Sequence, residues 1–276
     1  MEEQVIALVA PPSEEKKSLV DEPVSASRLN LFHSCRLKFF FRYVAKIQKP
    51  ASAALHVGKA VHAGLQHWSK RRWMGKPCGA EEIKADFENH WTLSQVEEPV
   101  EFEESEEVVQ REKAWGLVEM YLRETPVPPD EKPEAVEVGV EADFSSHGLP
   151  TLRGVIDLVR PGGLIVDFKT TAQTPNEDQV LHKNETQLTA YGLLYREATG
   201  SKEKGFELHH LVKTKVPKLI VTRHEVVSER QKEKLFRAIE SFMDGVERED
   251  WVPSPGFQCA TCEFFGECRS GNGGAA

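Results

Sequence analysis

From Gly154 to Thr170 the chain reads Gly-Val-Ile-Asp-Leu-Val-Arg-Pro-Gly-Gly-Leu-Ile-Val-Asp-Phe-Lys-Thr, and no other stretch constrains the fold as strongly. Two apolar, largely β-branched runs, Leu152–Arg160 and Leu164–Thr170, flank a Pro-Gly-Gly turn, which predicts a β-hairpin. Each run carries one carboxylate inside it, Asp157 in the first and Asp167 in the second. An ionised carboxylate in a half-buried strand is costly unless something positive compensates it. Two on adjacent strands repel, and a shared divalent cation is the natural compensation. Lys169, two residues past Asp167, falls on the same face of its strand. The ordinary alternative is a same-face ion pair between Asp167 and Lys169, with Asp157 capping the turn or facing solvent.

The surrounding chain places this hairpin in an α/β domain. Residues 1–22 are polar and Pro-bearing and are expected to form a disordered arm, as are residues 271–276 as a tail. A helix opens at Ser25-Ala-Ser-Arg-Leu, with Ser25 or Ser27 as its cap, and Leu29, Phe32, Phe39, Phe40 and Tyr43 form its apolar stripe around Cys35. A second helix is expected over about Val57–Trp73. Val57, Val61, Leu65 and Trp68 form its core face, while Gly58, His62 and Gln66 recur every four residues on a neighbouring face. Two amphipathic helices follow, near Ala80–Val96 and Ser105–Arg123, and Pro126, Pro128, Pro129 and Pro133 form a stiff connection. From Ala135 the pattern alternates, giving a strand that precedes the hairpin and completes a three-stranded meander. A helix over about Asn184–Thr199, strands at Phe206–Lys213 and Leu219–Val226, and a final helix over Ser228–Glu247 complete the order. Helices, three strands, helix, strands, helix fits a central mixed sheet flanked by helices. We expect one domain over 23–270: a helical part (25–125), a sheet core (134–248) and a cysteine segment (257–269).

Cysteine supplies the second strong pattern. Cys259-Ala-Thr-Cys262-Glu-Phe-Phe-Gly-Glu-Cys268 puts three thiols in ten residues. Three thiolates call for a fourth ligand, and Cys35 is the first candidate, with Cys78 or a histidine in reserve. Four thiolates suit zinc or an iron–sulfur cluster, and spacing does not separate the two. Five cysteines in 276 residues are too few for a disulfide scaffold, which points to an intracellular, cytoplasmic protein. No apolar run reaches the ~20 residues of a membrane span, and the N-terminus lacks the pattern of a signal peptide.

A net charge of −9 argues against nucleic acid as a partner at first sight. The charge is uneven, however. Acids crowd between Glu97 and Glu107, while bases gather at Arg36, Lys38, Arg42, Lys46 and Lys49 and again at Lys70, Arg71, Arg72 and Lys76. A local basic path therefore stays open.

In this order the motifs resemble those of the PD-(D/E)XK nucleases of the RecB type, in the branch that carries an iron–sulfur cluster, seen in the AddB nuclease domain and in CRISPR-adaptation nucleases. The resemblance runs from about Ser25 to Arg269. It rests on Ser-x-Ser-x-Leu leading to Cys35, Gly58-x-x-x-His62, Glu141 before Gly154-x-x-Asp157, Asp167-x-Lys169, Gln187-x-x-x-Tyr191 and Cys259-x-x-Cys262-x5-Cys268. Arg36 follows Cys35 where the family often has Pro, and no Walker-type loop accompanies the motifs.

The resemblance implies a restriction-endonuclease-like core. In it His62, Asp157, Asp167 and the Phe168 carbonyl would hold Mg²⁺ or Mn²⁺, and Lys169 would serve the attacking water. Gln187 and Tyr191 would position substrate or Lys169, and Glu141 is a further candidate acid. It also implies a [4Fe–4S] cluster on Cys35, Cys259, Cys262 and Cys268, with zinc as the other occupant. The expected activity is a metal-dependent DNA exonuclease acting on single strands or ends in repair, recombination or CRISPR adaptation. Helicase, recombination or CRISPR proteins would act in trans, and no membrane is involved. The alternative is a non-catalytic DNA-binding module of a larger complex.

Overall fold

The computed structural model describes residues 19–270 apart from 101 and 104. A two-residue strand, β1 (Val24–Ser25), leads directly into α1 (Ala26–Ser34), whose first turn is capped by the Ser25 hydroxyl accepting from the Arg28 N–H. Cys35 is extended (φ −164°, ψ 109°) and separates α1 from α2 (Arg36–Phe39), which continues as a π-helical turn over Phe40–Val44. Then come α3 (Ala53–Trp73), α4 (Ala80–Glu97) and α5 (Glu106–Glu124). The sheet region holds β2 (Ala135–Ala142), β3 (Leu152–Arg160), β4 (Leu164–Thr171), α6 (Glu177–Thr199), β5 (Gly205–Val212) and β6 (Lys218–His224). Finally, α7 (Glu229–Glu247) carries a complete Ser228/Gln231 capping box, and α8 (Phe265–Ser270) ends the described chain.

Two helices start earlier than the apolar periodicity indicates. Capped by Ser52, α3 starts four residues ahead of the expected Val57, because Ala53 and Ala54 favour helix without marking a face. Capped by Asn176, α6 starts seven residues ahead of the expected Asn184, and Glu177 and Asp178 in its first turn complement the helix dipole.

The sheet is mixed. β2, β3 and β4 form the antiparallel meander, β5 returns parallel to β4 after the α6 crossover, and β6 pairs antiparallel with β5. Each ladder position of β3 has two sides. β2 fills one side from Leu152 to Val159 apart from Asp157, while the other is shared: β4 pairs with Leu158–Arg160 and β1 with Leu152 and Arg153. Between them, residues 154–157 carry no ladder partner on that side, so β3 and β4 part company as they reach Asp157 and Asp167.

Helices cover both faces. Val57, Val61 and Leu65 of α3, with Ile83, Phe87 and Trp91 of α4 and Tyr121 of α5, pack on Leu158, Val166, Phe168 and Leu211. On the other face Leu188 and Tyr191 of α6 pack with Ile156, Val159, Ile165, Phe206 and Leu208. Ile156 and Val159 thus share a side that Leu158 does not, so the strict alternation of β3 slips at Asp157. A third cluster joins α1 and α7 through Leu29, Phe32, Leu235, Ile239 and Phe242. Each such side chain contributes ~1.5–3 kcal/mol on burial. Leu19 and Val20, at the end of the expected arm, pack against this third cluster, while residues 1–18 and 271–276 lie outside the described residues. The result is an α/β fold with a mixed central sheet flanked by helices, the arrangement of a restriction-endonuclease-like core. Among the described residues, no helix is long and apolar enough to cross a membrane.

Candidate active site

The gap in the β3–β4 ladder is where the acidic side chains meet. One residue beyond the Leu158–Val166 pair, the register sets Asp157 opposite Asp167 with the strands no longer bonded to each other. Asp157 Oδ2 instead accepts the Phe168 N–H at 2.8 Å, so its side chain bridges the parted strands. Asp167 is 2 % exposed. Its Oδ1 accepts from Gln187 Nε2 at 2.9 Å, while Oδ2 has the Lys169 ammonium 2.8 Å away as an ion-pair contact without an aligned hydrogen bond.

α3 delivers His62 from above. Gly58 faces the sheet closely: a Cβ there would stand 3.3 Å from Thr170 Oγ1, so glycine lets α3 sit down on β4. One turn on, His62 Nδ1 lies 3.6 Å from Asp157 Oδ2. Burial opposes protonation of this imidazole, but the hydrogen bond and charge of Asp157, with Asp167 behind it, raise its pKa overall. The Asp167 carboxyl is pushed up to about 6, foremost by burial and further by Asp157, against the pull of Lys169 and His62. A carboxylate held this far from ordinary behaviour, with an oxygen lacking an aligned donor, is under-compensated.

α6 organises the opposite wall. Gln187 accepts from Lys169 Nζ at 2.6 Å and donates from Nε2 to Asp167 Oδ1 and to the Tyr191 hydroxyl at 2.8 Å. One amide therefore fixes the acid, the amine and the phenol together. Tyr191 is buried beside acids, which drives its pKa upward and keeps it neutral. A Cβ on Gly154 would fall 3.1 Å from the Tyr191 ring, so glycine in β3 makes room for it.

The expected residues are thus brought together with one exception. His62, Asp157, Asp167, Phe168, Lys169, Gln187 and Tyr191 line a single open cleft of about 650 Å³. Glu141 does not join them. It stands opposite Arg153 on the exposed end of β2 and lines an adjoining cleft of about 910 Å³, which shares Lys169, Gln187 and Tyr191. The acid that β2 does contribute is Glu137, which nothing in the sequence pattern singles out. The β2–β3 register sets Glu137 opposite Asp157, and there the ladder again skips a pair because Glu137 adopts φ +49°. Alternation along β2 marks Glu137 as an ordinary solvent-facing residue, and its left-handed backbone leaves no sequence signal. Glu137 is exposed at the rim of the cleft, where partial desolvation and the Asp157 charge raise its pKa.

The residues fit a hard divalent cation: two carboxylates, a third nearby and an imidazole around an oxygen with no aligned donor. The four cysteines expected to act together also meet. Cys35, Cys259, Cys262 and Cys268 line one small pocket with Leu37, Phe41, Pro253, Pro255, Phe264 and Phe265. Cys78 is elsewhere, at the α3–α4 connection. Phe264 is fully buried against Phe41, and Glu263 pairs with Lys38 at 2.7 Å and with Arg42. Arg36 pairs with Asp250, and Lys49 with Glu267. The basic cluster of Arg36–Lys49 is therefore largely spent on docking the C-terminal segment.

Comparison with known proteins bears on this arrangement at three levels. No curated protein matches the chain. Among solved structures, a protein from Eubacterium rectale described as a "putative exonuclease" superposes with a TM-score of 0.59 at 15% identity, over 92% of each chain, a likeness of fold. The crystal structure of SSO0001 follows at a TM-score of 0.38 and 12% identity, over 85% of this chain and 94% of that one, and carries no weight here. The sequence profile of the PD-(D/E)XK nuclease superfamily matches residues 23–269, and the chain belongs to that superfamily.

Proposed function

We propose that this protein is a metal-dependent deoxyribonuclease, an exonuclease acting on single-stranded DNA or DNA ends, of the RecB-like branch with an iron–sulfur cluster. The observation that carries the reading is Asp157 and Asp167 set opposite each other where β3 and β4 separate, with an Asp167 oxygen that has no aligned donor. His62, Asp157, Asp167 and the Phe168 carbonyl would hold Mg²⁺ or Mn²⁺. When bound, the ion supplies charge stabilisation at the phosphate and acidifies the attacking water.

The chain's own groups do the rest. Lys169, fixed between Asp167 and Gln187, directs its ammonium toward the cleft, where it orients water and offsets negative charge on the scissile phosphate. Gln187 acts as a positioning residue through Lys169 and Asp167. Tyr191, whose oxygen already accepts from Gln187, keeps its own proton to donate toward a phosphate where the two clefts meet. Arg153 on one rim, and Lys59 on the other once it exchanges its Glu98 partner for phosphate, supply backbone charge contacts. The description of the E. rectale protein supports exonuclease action.

For the cysteines, four thiols on one apolar pocket support a cluster. The cluster would be structural, tying α2 to the last residues. Iron and acid-labile sulfide in protein purified under nitrogen check this, and stoichiometric zinc in colourless protein rules it out.

The test of function is a time course on end-labelled single- and double-stranded DNA with Mg²⁺ or Mn²⁺. Wild type is expected to release nucleotides from ends, and Asp167→Ala and Lys169→Ala to lose at least about a thousandfold in rate with the fold intact. Cleavage retained in Asp167→Ala overturns the reading. DNA binding without cleavage by wild type identifies a non-catalytic binding module instead.

A further inference from the structure

On the far side of α3 from His62 lies a second constellation of donors that the nuclease chemistry leaves unused. His67 is on α3, Cys78 in the connection to α4, and Glu82 in the first turn of α4. A ring nitrogen of His67, the Cys78 sulfur and a carboxylate oxygen of Glu82 all lie within 4.8 Å of one another.

Three features distinguish this group from a chance meeting of polar side chains. First, His67 Nδ1 is 3.1 Å from Asp86 Oδ2, one helical turn past Glu82. A carboxylate on one ring nitrogen fixes the tautomer and leaves the lone pair on the other, which is how metal-bound histidines are held. Second, that other nitrogen, Nε2, is sealed from solvent and has no hydrogen-bond partner. A buried nitrogen lone pair without a donor costs free energy that a metal would restore. Third, the donor set balances charge. Neutral imidazole, thiolate and carboxylate together carry −2, matching a divalent ion, and the nitrogen–sulfur–oxygen mixture suits a borderline-soft one.

One cation already competes there. Arg71, one turn past His67, bridges to Glu82 at 2.9 Å and lies beside the Cys78 thiol, whose pKa burial raises against the opposing pull of Arg71. Its side chain is 31% exposed, so it has an open path to solvent. Its Nε, like His67 Nε2, is buried without a partner, so Arg71 satisfies this site incompletely.

We propose that His67, Cys78 and Glu82 form a second metal site for a borderline-soft divalent ion such as Zn²⁺, entered as Arg71 swings out. The Cys78 thiol gives its proton to solvent as the sulfur binds, and the fourth position is left to water. Tetrahedral zinc spaces its ligand atoms ~3.3–3.8 Å apart, so side-chain rotation of about 1 Å completes the set. The ion pins the C-terminal half of α3 to α4 and so steadies the helix that presents His62.

The test reads Cys78 alone. Intact protein, purified anaerobically with its C-terminal cysteines in their native state, is alkylated with N-ethylmaleimide with and without micromolar Zn²⁺, and each cysteine is followed by peptide mass spectrometry. Zn²⁺ is expected to slow labelling of Cys78 at least tenfold. His67→Asn should abolish that protection, and Arg71→Gln should lower the Zn²⁺ concentration needed. Should His67→Asn fold poorly by circular dichroism, the exposed Glu82→Gln takes its place with the same expectation. Equal labelling of Cys78 with and without Zn²⁺, or protection unchanged in these ligand variants, overturns the site. Neither result depends on DNA cleavage.

Discussion

Two buried carboxylates on neighbouring strands make opposite statements about this molecule. Glu207 on β5 pairs in register with Val166, one residue from Asp167 on β4, and both acids are 2 % exposed. Glu207 is surrounded by partners: Arg160 at 2.8 Å, Arg223 at 2.9 Å and His209 at 3.1 Å, with Tyr121 hydrogen-bonded to His209 behind them. Burial alone would raise its pKa, yet the His209 hydrogen bond and the charges around it bring it down to about 2. Asp167, with one lysine and one amide, is pushed up to about 6. The fold completes the first site from its own residues and leaves the second deficient in positive charge. The difference teaches which buried acid is architecture and which awaits something from outside.

Removing each charge sharpens that contrast most. In metal-free buffer at pH 8, Glu207→Gln removes the shared acceptor of Arg160, which keeps Glu131, and of the largely exposed Arg223, and is expected to cost about 1–3 kcal/mol by denaturant unfolding. Asp167→Asn is expected to raise stability by up to roughly 3 kcal/mol, because it deletes an under-compensated charge. Two losses of equal size would break the comparison. The pH dependence separates them as well. The folded pKa of Glu207 lies below its ordinary 4.5, so its contribution is complete above pH 4.5 and is lost as pH falls through about 2. For Asp167 the sign reverses: its pKa is raised from 3.8, so stability grows as pH falls from 7 through 6 toward 4. Unfolding curves at pH 7 and 5 should therefore show wild type gaining on Asp167→Asn, with Glu207 contributing nothing in that window.

A smaller effect distinguishes the two glutamates of β2. Glu137→Gln is expected to weaken Mn²⁺ affinity about tenfold through its place opposite Asp157, whereas Glu141→Gln leaves it unchanged. Calorimetric titration measures both, and a larger loss in Glu141→Gln would return that acid to the site. Smallest is Gly58→Ala, where the new methyl group presses on Thr170 Oγ1 and lifts α3 by a few tenths of an ångström. A loss of about 1 kcal/mol, with weaker ion binding through the displaced His62, is expected from thermal unfolding and the same titration.

Much of this was legible before any coordinates. The Pro-Gly-Gly turn and its flanking runs specify the β3–β4 hairpin. The spacing of Asp167 and Lys169 specifies their common face, and four-residue spacing puts Gln187 and Tyr191 on one side of α6. What escaped has physical reasons. β1 is two residues long, too short for any period, and its place on β3 depends on the gap left by β4. The π-helical turn at Phe40–Val44 looks like helix in sequence because its residues are good core formers. Glu137 hides in a regular alternation and acts through a left-handed backbone that only tertiary structure selects. Pairing of Glu207 with Arg160 and Arg223 joins three strand positions whose neighbourhood only the sheet order defines. Sequence therefore displays carboxylates within strands, but their compensation is decided by residues distant along the chain.

The central claim, that Asp167 awaits a cation the chain does not supply, is tested most directly by an anomalous difference map from a crystal grown in Mn²⁺. The account predicts a peak bounded by His62, Asp157 and Asp167, absent from Asp167→Asn crystals grown the same way. An empty cleft in wild type, or a peak that persists unchanged in Asp167→Asn, would contradict it.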